Sequence, residues 1–426
     1  MSAPLQPEDS VVIIGAGQAG VQTAEALRTL GFAGAIHLLG DEPHAPYHRP
    51  PLSKAWLAGE MDAAQLVMRS PEVLARKNIT LRTGCTVRAI DRATKTVALA
   101  DDSHLPYTGL VLATGSTPRT LNALNLPGAD AKGVLALRSR DDASAISAQM
   151  AVCVEKNLGV VVIGGGFIGL EVAATARKKG LAVTVLEAAP RLLGRVLAPV
   201  LSDWYAALHR SHGVRLVLDA QVAALEADAE GAVCGVRMQD GSVVPAGLVV
   251  VGIGVAANDQ LAAAAGLECE RGIVVDACGR TSDASVVAAG DCTARRQSDG
   301  ALLRLESVQN ATEQGKSAAA ALMGQERPFA ATPWFWSDQY DKKLQMAGLS
   351  TGADAWAVRG DMGADLSHAS FTVFHFKGAT LLGADSVNAG KDHLAVRKLL
   401  DAGVSPTQQQ VADTAQDLAS LIAKPV

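Results

Sequence analysis

The sequence predicts an α/β chain organised by two copies of one strand–glycine–helix unit and closed by a separate α+β domain. Three observations carry that expectation. The stretch Val160-Val-Val-Ile-Gly164-Gly-Gly166-Phe167-Ile168-Gly169-Leu-Glu171 runs from a β-branched apolar strand through G-x-G-x-x-G into an Ala-rich helix. Residues 11–20, Val-Val-Ile-Ile-Gly15-Ala-Gly17-Gln-Ala-Gly20, repeat the pattern near the N-terminus. From about Thr332 the composition changes, and Pro333-Trp334-Phe335-Trp336 opens a segment of strands and helix.

Length and composition bound the rest. A chain of 426 residues suggests two or three domains. Aromatic residues are scarce while Ala, Gly and Val abound, which suits close helix-on-sheet packing. A net charge of −5 gives no global attraction to nucleic acid or to an anionic membrane. The six cysteines, Cys85, Cys153, Cys234, Cys269, Cys278 and Cys292, form no C-x-x-C pair. They read as scattered reduced thiols of a cytoplasmic protein, with no metal site and no disulfide framework. Met1-Ser-Ala-Pro-Leu-Gln-Pro lacks the basic-then-apolar order of a signal peptide. The apolar run at 158–176 is broken by glycines and Glu171, which argues against a membrane span.

In chain order, the first helix is expected from Val21 to about Leu30, ending near Gly31. The next strand, Ala35-Ile-His-Leu-Leu, runs into Gly40-Asp41-Glu42, so the acid that would bind a ribose is ambiguous, with Asp41 the first choice. Pro46-Tyr-His-Arg49-Pro50-Pro51-Leu-Ser53-Lys54 is a proline-stiffened loop leading into a short helix. Gly109-Leu-Val-Leu-Ala113-Thr114-Gly115 is a buried strand ending in small residues. A helix is expected over 141–150, before the second unit begins at Val160. Val183-Thr-Val-Leu-Glu187 ends in a carboxylate, Leu248-Val-Val-Val-Gly252-Ile-Gly254 in glycines, and Ser285-Val-Val-Ala-Ala-Gly290-Asp291 in an acid. Beyond Thr332 a hairpin is expected at 371–376 and 380–387, followed by a helix carrying Leu394, Leu399 and Leu400.

Both glycine units are Rossmann-like in pattern. Glycines allow a tight turn and close backbone approach, and unpaired N–H groups at the helix start face negative charge, so each unit suits a dinucleotide pyrophosphate. Glu187 is placed to bond the two hydroxyls of a ribose and to repel a 2′-phosphate, which favours NADH over NADPH. Arg191 and Arg195 lie nearby and could soften that preference; Arg195 could instead clamp the pyrophosphate.

Two fingerprints, the Ala-Thr-Gly turn, the Gly-Asp strand end and the C-terminal domain together resemble the flavin-dependent pyridine nucleotide–disulfide oxidoreductases. Arg49-Pro-Pro-Leu-Ser-Lys54, Gly-Gly-Gly-Phe-Ile-Gly-Leu-Glu171 and Trp334-Phe-Trp336-Ser-Asp-Gln are similar to the ferredoxin reductases of bacterial oxygenase systems. Relatives with disulfide chemistry carry an early cysteine pair, whereas no Cys precedes Cys85 here, so a disulfide relay is excluded.

The resemblance implies two glutathione-reductase-like domains, an FAD domain over 1–118 and 255–330 and an NADH domain over 119–254, with a C-terminal interface domain over 331–426. It assigns Gly15, Gly17, Gly20, Asp41, Lys54, Val87, Arg138, Asp291, Val308 and Trp336 to FAD, with Asp291 on the ribityl chain. It assigns Gly164, Gly166, Phe167, Ile168, Gly169, Glu171, Glu187, Arg195, Gly252 and Glu306 to NADH. Arg138 has a competing reading as a solvated arginine, Asp291 as a satisfied strand-end carboxylate.

Lys54, Glu171 and Trp336 are the expected catalytic residues. In the family, residues matching Lys54 and Glu171 meet beside the reactive edge of the flavin, where an ammonium stabilises developing charge and the carboxylate holds it in place. Glu171 could instead be a first-turn helix carboxylate favoured by the dipole. Trp336 is either a stacking platform and electron exit or core packing.

The implied activity is hydride transfer from NADH to FAD, then single-electron transfer to an acidic two-iron two-sulfur ferredoxin. That ferredoxin would feed a Rieske dioxygenase or a haem monooxygenase system. No nucleic acid and no membrane is involved, and the chain is a monomer or weak homodimer. An acidic partner needs a local basic patch, for which Arg69, Arg304, Lys342 and Lys343 are the candidates. Rubredoxin reductase and monodehydroascorbate reductase share the architecture. A redox-sensing interaction protein resembling apoptosis-inducing factor is the alternative of a different class.

Overall fold

The first glycine strand, Ser10–Ile14, has a parallel strand on each side and is buried from Val11 onward because its two faces enter separate cores, Val11 and Ile13 in one, Val12 and Ile14 in the other. The structure is a computed structural model and describes residues 4–363 and 365–422. The chain forms two units. One comprises Met1–His48, Ala63–Thr117 and Val255–Ala330; the other comprises Arg49–Asp62, Pro118–Gly254 and Ala331–Val426.

In the first unit the five-stranded parallel sheet has the order Val286–Ala288, Gly109–Leu112, Ser10–Ile14, Ala35–Leu39, Ile79–Arg82. The chain moves outward from the central strand on one side and returns on the other, so the strand order reverses at Ser10–Ile14 and Gly109–Leu112. In open α/β sheets that reversal leaves a crevice at the carboxyl ends of the strands. The helix Gln18–Thr29 covers one face and packs closely on Val308–Leu322, where Gly315 leaves room for Ala19.

The second unit repeats the plan. Its parallel sheet has the order Arg215–Val217, Val183–Leu186, Val160–Ile163, Leu248–Val251, Val134–Ala136. The helix expected over 141–150 spans Arg140–Glu155 and begins with a capping box between Ser139 and Asp142. Beyond it lies a five-stranded antiparallel sheet ordered Trp334–Gln339, Lys342–Gly348, Thr380–Val387, Ser370–Lys377, Ala355–Asp361. The expected hairpin is its Ser370–Lys377 and Thr380–Val387 pair. The expected helix is Gly390–Asp401, in which Leu399 is buried while Leu394 points to solvent.

One segment lies in a different unit from the one expected. The segment 49–62 packs with the second unit, because Leu57 is fully buried against Ile146, Met150 and Leu170. The C-terminal sheet has an apolar layer on each face. Phe374, Phe376 and Leu381 lie under Val396 and Leu399, while Phe371, Val373 and Leu344 share a core with Leu201, Trp204 and Tyr205. Trp204 meets Tyr205 and Phe371 edge-on at 5.1 and 5.2 Å. Among the described residues no helix is long and apolar enough to cross a membrane.

Two of the buried imidazoles of the second unit lie on helices, His209 in Pro199–Ser211 and His393 in Gly390–Asp401. Burial pushes each down to about 4, and the charges of Arg397 and Lys343 act in the same direction on His393. A histidine held neutral in the fold takes up its proton more readily when unfolded, so its contribution is complete above about pH 6.5 and is lost as the pH falls toward 4. For His209 the full loss is about 3 kcal/mol, from a shift of roughly 2.5 pH units at 1.36 kcal/mol each. Thermal unfolding between pH 7 and pH 4 is expected to show a falling midpoint, and His209→Gln to flatten that fall. Equal slopes in both proteins would remove His209 from the account.

Candidate active site

Both glycine turns are built so that only glycine fits. Gly15 and Gly164 have φ of +109° and +110°, and a Cβ on either would stand 2.1 or 2.4 Å from a carbonyl oxygen of the neighbouring strand end. A Cβ on Gly20 or Gly169 would stand 1.9 or 2.3 Å from the oxygen of Gly15 or Gly164, so each helix crosses its strand at backbone contact. The middle glycines differ. Nothing lies within 4 Å of a Cβ on Gly17, and only the Gly252 oxygen, at 3.9 Å, approaches one on Gly166. These two residues cap the helices Gln18–Thr29 and Phe167–Lys178 without any side-chain hydrogen bond. Each unit thus presents an open concavity beside a helix start with uncapped N–H groups, which fits a pyrophosphate.

In the first unit the carboxyl ends of the strands gather several of the residues assigned to FAD. Asp291 follows Gly290 at the end of Val286–Ala288, and its Oδ2 accepts a hydrogen bond from Ser116 Oγ at 3.0 Å. Val308 begins the helix Val308–Leu322, and Val87 begins the strand Val87–Asp91. The strand-end acid of this cradle is displaced. Ile14 pairs with Leu39 as Ile163 pairs with Leu186, so Gly40 stands where the second unit has Glu187. Asp41 is exposed, while Glu42 accepts from the Tyr47 hydroxyl. Glu306, expected on the nicotinamide side, lies in this first unit, exposed and paired with Arg304.

The second cradle carries its acid at the lip. Glu187 Oε2 accepts from the Gly165 N–H at 2.6 Å and Oε1 from the Ala189 N–H at 2.7 Å, which ties the strand end to the glycine turn. Arg191 is committed to its own loop through Leu197 O, Gly194 O and Ser202 Oγ. Arg195 is exposed, its guanidinium 3.7 Å from where a Cβ on Gly254 would stand. Ile168 is exposed at the helix start, Phe167 stacks at a tilt on Phe335 with centroids 4.9 Å apart, and Gly252 packs on Gly169.

Glu171 lies on the buried side of this helix, 2% exposed. Its Oε2 accepts from Lys54 Nζ at 2.6 Å and from Ser53 Oγ at 2.5 Å, and its Oε1 from Ser337 Oγ at 2.6 Å. Lys54 also donates to Pro50 O at 3.2 Å, so the proline-stiffened loop fixes the ammonium from behind. The helix-dipole reading of Glu171 is therefore insufficient, because the carboxylate is the centre of a buried polar cluster. Lys54, Arg138 and Trp336 all belong to the second unit, unlike the other residues assigned to FAD. Arg138 sits just before the Arg140–Glu155 helix, its carbonyl accepting from Arg49 Nη1 at 2.8 Å. Trp336 is half-buried beside Trp334, centroids 5.5 Å apart.

Sequence reading passed over Ser53, Ser337, Gln339 and His209. The signal was the period of the strand Trp334–Gln339, whose alternation puts Phe335, Ser337 and Gln339 on one face and both tryptophans on the other. The expected docking patch needs correction. Lys342 is 2% exposed, its ammonium bonded to Asp341 and Ser367 O, so it cannot meet a partner. It lies on the inward side of its strand with Leu344, while Lys343 faces solvent. Arg69 is paired with Glu25, and Arg304 with Glu306 and the Asp291 carbonyl.

Residues 9–315 match the pyridine nucleotide-disulphide oxidoreductase family. The chain belongs to that family. It is an oxidoreductase whose cofactors are FAD and a nicotinamide dinucleotide. Residues 334–422 match the reductase C-terminal family. Rhodocoxin reductase of Rhodococcus erythropolis is 46% identical over 97% of this chain and 95% of its own. Putidaredoxin reductase of Pseudomonas putida is 44% identical over 90% of each chain. The crystal structure of the ferredoxin reductase for the CYP199A2 system from Rhodopseudomonas palustris superposes with a TM-score of 0.91 at 41% identity, covering 98% of this chain and all of that one. The covalent putidaredoxin reductase–putidaredoxin complex gives 0.91 at 40%, over 98% and 99%.

Nucleotide preference is expected to rest on Glu187. Glu187→Ala or Glu187→Arg should lower the NADH:NADPH ratio of kcat/KM at least about tenfold, or roughly 1.4 kcal/mol of differential transition-state binding. Steady-state kinetics with both nucleotides measure it; an unchanged ratio would pass the role to Arg195.

Proposed function

We propose that the chain is an NADH-dependent ferredoxin reductase of the cytoplasm, passing electrons singly to a two-iron two-sulfur ferredoxin that serves an oxygenase. The observation that carries this reading is the pairing of two dinucleotide cradles with a chain whose six cysteines stand free and include none before Cys85. Electrons entering as hydride then have no dithiol to pass through, and the acceptor is an external one-electron carrier. The relatives' names point the same way, to ferredoxin and putidaredoxin reductases.

FAD supplies a two-electron acceptor that can be discharged one electron at a time, chemistry no side chain offers. The chain's own part is binding, orientation and charge. Gly15, Gly17 and Gly20 would cradle the FAD pyrophosphate, with Asp291 on the ribityl chain. Gly164, Gly166 and Gly169 would hold the NADH pyrophosphate, and Glu187 its adenosine ribose. The Lys54 ammonium, held by Glu171, would stabilise negative charge that develops during reduction.

The purified protein is expected to be yellow, with one non-covalent FAD per chain. A colourless protein that takes up no added FAD would sink the reading. Stopped-flow mixing with NADH, then with ferredoxin, rubredoxin, dioxygen or ascorbyl radical, identifies the acceptor.

Glu171→Ala and Lys54→Met should slow flavin reduction at saturating NADH while leaving NADH affinity nearly unchanged. That pattern marks an interaction made in the transition state rather than in the ground state. An effect confined to the dissociation constant would assign the pair to binding alone.

A further inference from the structure

The Lys54–Glu171 pair stands at one end of a longer hydrogen-bonded row, and counting hydrogens fixes the direction of that row. An ionised carboxylate only accepts. Ser337 has one hydroxyl hydrogen, and its Oγ lies 2.6 Å from Glu171 Oε1, so the hydrogen is committed there. Gln339 Nε2 lies 3.2 Å from the same Oγ and donates to it. The amide oxygen of Gln339 is thereby turned to His209, whose Nε2 lies 2.8 Å away and must carry a hydrogen. Tyr340 Oη, 3.0 Å from His209 Nδ1, donates to that bare nitrogen. From Tyr340 to Glu171 every donor points one way.

Ser337, Gln339 and His209 are all fully buried, so bulk water does not replace a partner that turns away. Amide groups pass protons only through an unfavourable tautomer, so a row with Gln339 in its middle is not a proton path. It is a set of aligned dipoles ending on a carboxylate.

We propose that Ser337, Gln339 and His209 are positioning residues for flavin reduction, locking Glu171 in the orientation that holds the Lys54 ammonium. The inference rests on the role given above to Lys54 and Glu171. His209 acts in the row as a neutral imidazole with its hydrogen on Nε2. Burial favours the neutral imidazole, pushing His209 down to about 4 and the Tyr340 phenol upward, while the hydrogen bonds choose the tautomer. The charged or titratable groups around this end are His212, stacked on Tyr340 at 3.7 Å, Arg177 near Tyr340, and Asp341 near His212.

The test uses the full-length, FAD-loaded protein and has two arms. Long-range proton–nitrogen spectra of histidine-labelled protein, with His209 assigned by difference from His209→Gln, report the tautomer directly. The expected result is an Nε2–H imidazole unchanged between about pH 5 and 8. An Nδ1–H form, or titration near the ordinary histidine range, overturns the proposed direction.

The second arm measures rapid reduction by NADH. Gln339→Glu keeps the shape and, once ionised, has no hydrogen to give, so it draws the Ser337 hydroxyl away from Glu171; because burial beside Glu171 raises a carboxyl's pKa, reduction is followed up to about pH 9. Gln339→Met leaves that hydroxyl on Glu171. Reduction should slow about tenfold or more in Gln339→Glu, and only about threefold or less in Gln339→Met, with NADH affinity unchanged in both. Should Gln339→Glu not fold, Ser337→Ala, which loses the hydrogen outright, takes its place with the same expected slowing. Equal rates in the reversing and removing variants reduce the row to packing. Lys54→Met and Glu171→Ala run alongside separate the two claims. If these reduce at the normal rate, the role of the pair itself fails. If they slow while the Gln339 and Ser337 variants do not, only the positioning role falls.

Discussion

A carboxylate taken out of water is the constraint on which the second unit depends. Desolvating an ion costs several kcal/mol, and breaking a buried pair by removing one partner costs about 3–5 kcal/mol. Glu171 avoids that penalty through three donors from two separate parts of the chain, Ser53 and Lys54 of the proline-stiffened loop and Ser337 of the strand Trp334–Gln339. Its place explains why the short segment 49–62 leaves the first unit. That segment brings the ammonium and one hydroxyl, and Leu57 anchors it in the apolar core beside them. It also fixes the strand Trp334–Gln339, because a shift of one residue would bring Trp336 or Asp338 to the carboxylate in place of Ser337.

The two cradles show one solution used with different edges. Their strand registers coincide, and the same two glycine positions forbid a side chain in each. They part at the strand end. Glu187 bridges two backbone N–H groups and leaves its remaining lone pairs for a ligand, whereas Gly40 presents only backbone and hands the acids on to Asp41 and Glu42. A site that selects between two nucleotides needs a charge at that edge. One that holds a resident cofactor can distribute recognition over many contacts.

Much of this was legible in the sequence for physical reasons. A β-branched run ending in glycines has few structural meanings, so both cradles and the Glu187 edge could be read directly. The C-terminal hairpin was legible from its alternation and the short loop between its strands. The association of Lys54 with Glu171 came from a resemblance, since nothing local joins positions 117 apart. Ser337, Gln339 and His209 were missed because they are chemically ordinary and acquire a role only through packing between a strand and two helices. Lys342 misled for the opposite reason. A lysine beside another lysine reads as surface, yet strand alternation turned it inward, where its amine finds a backbone carbonyl and Asp341.

The way the chain is shared between the units bears on the order in which they can be completed during synthesis. All of the first unit has been made once Ala330 emerges. The second cannot close then, because its helix Pro199–Ser211 still shows an uncovered apolar side around Leu201, Trp204 and Tyr205, and Glu171 still lacks Ser337. Domains tend to fold as they leave the ribosome, and long-range pairings form slowly. The nascent chain therefore passes through a stage with one finished half and one half-open core, carrying a half-solvated carboxylate until the strands from Trp334 to Val387 arrive to cover it.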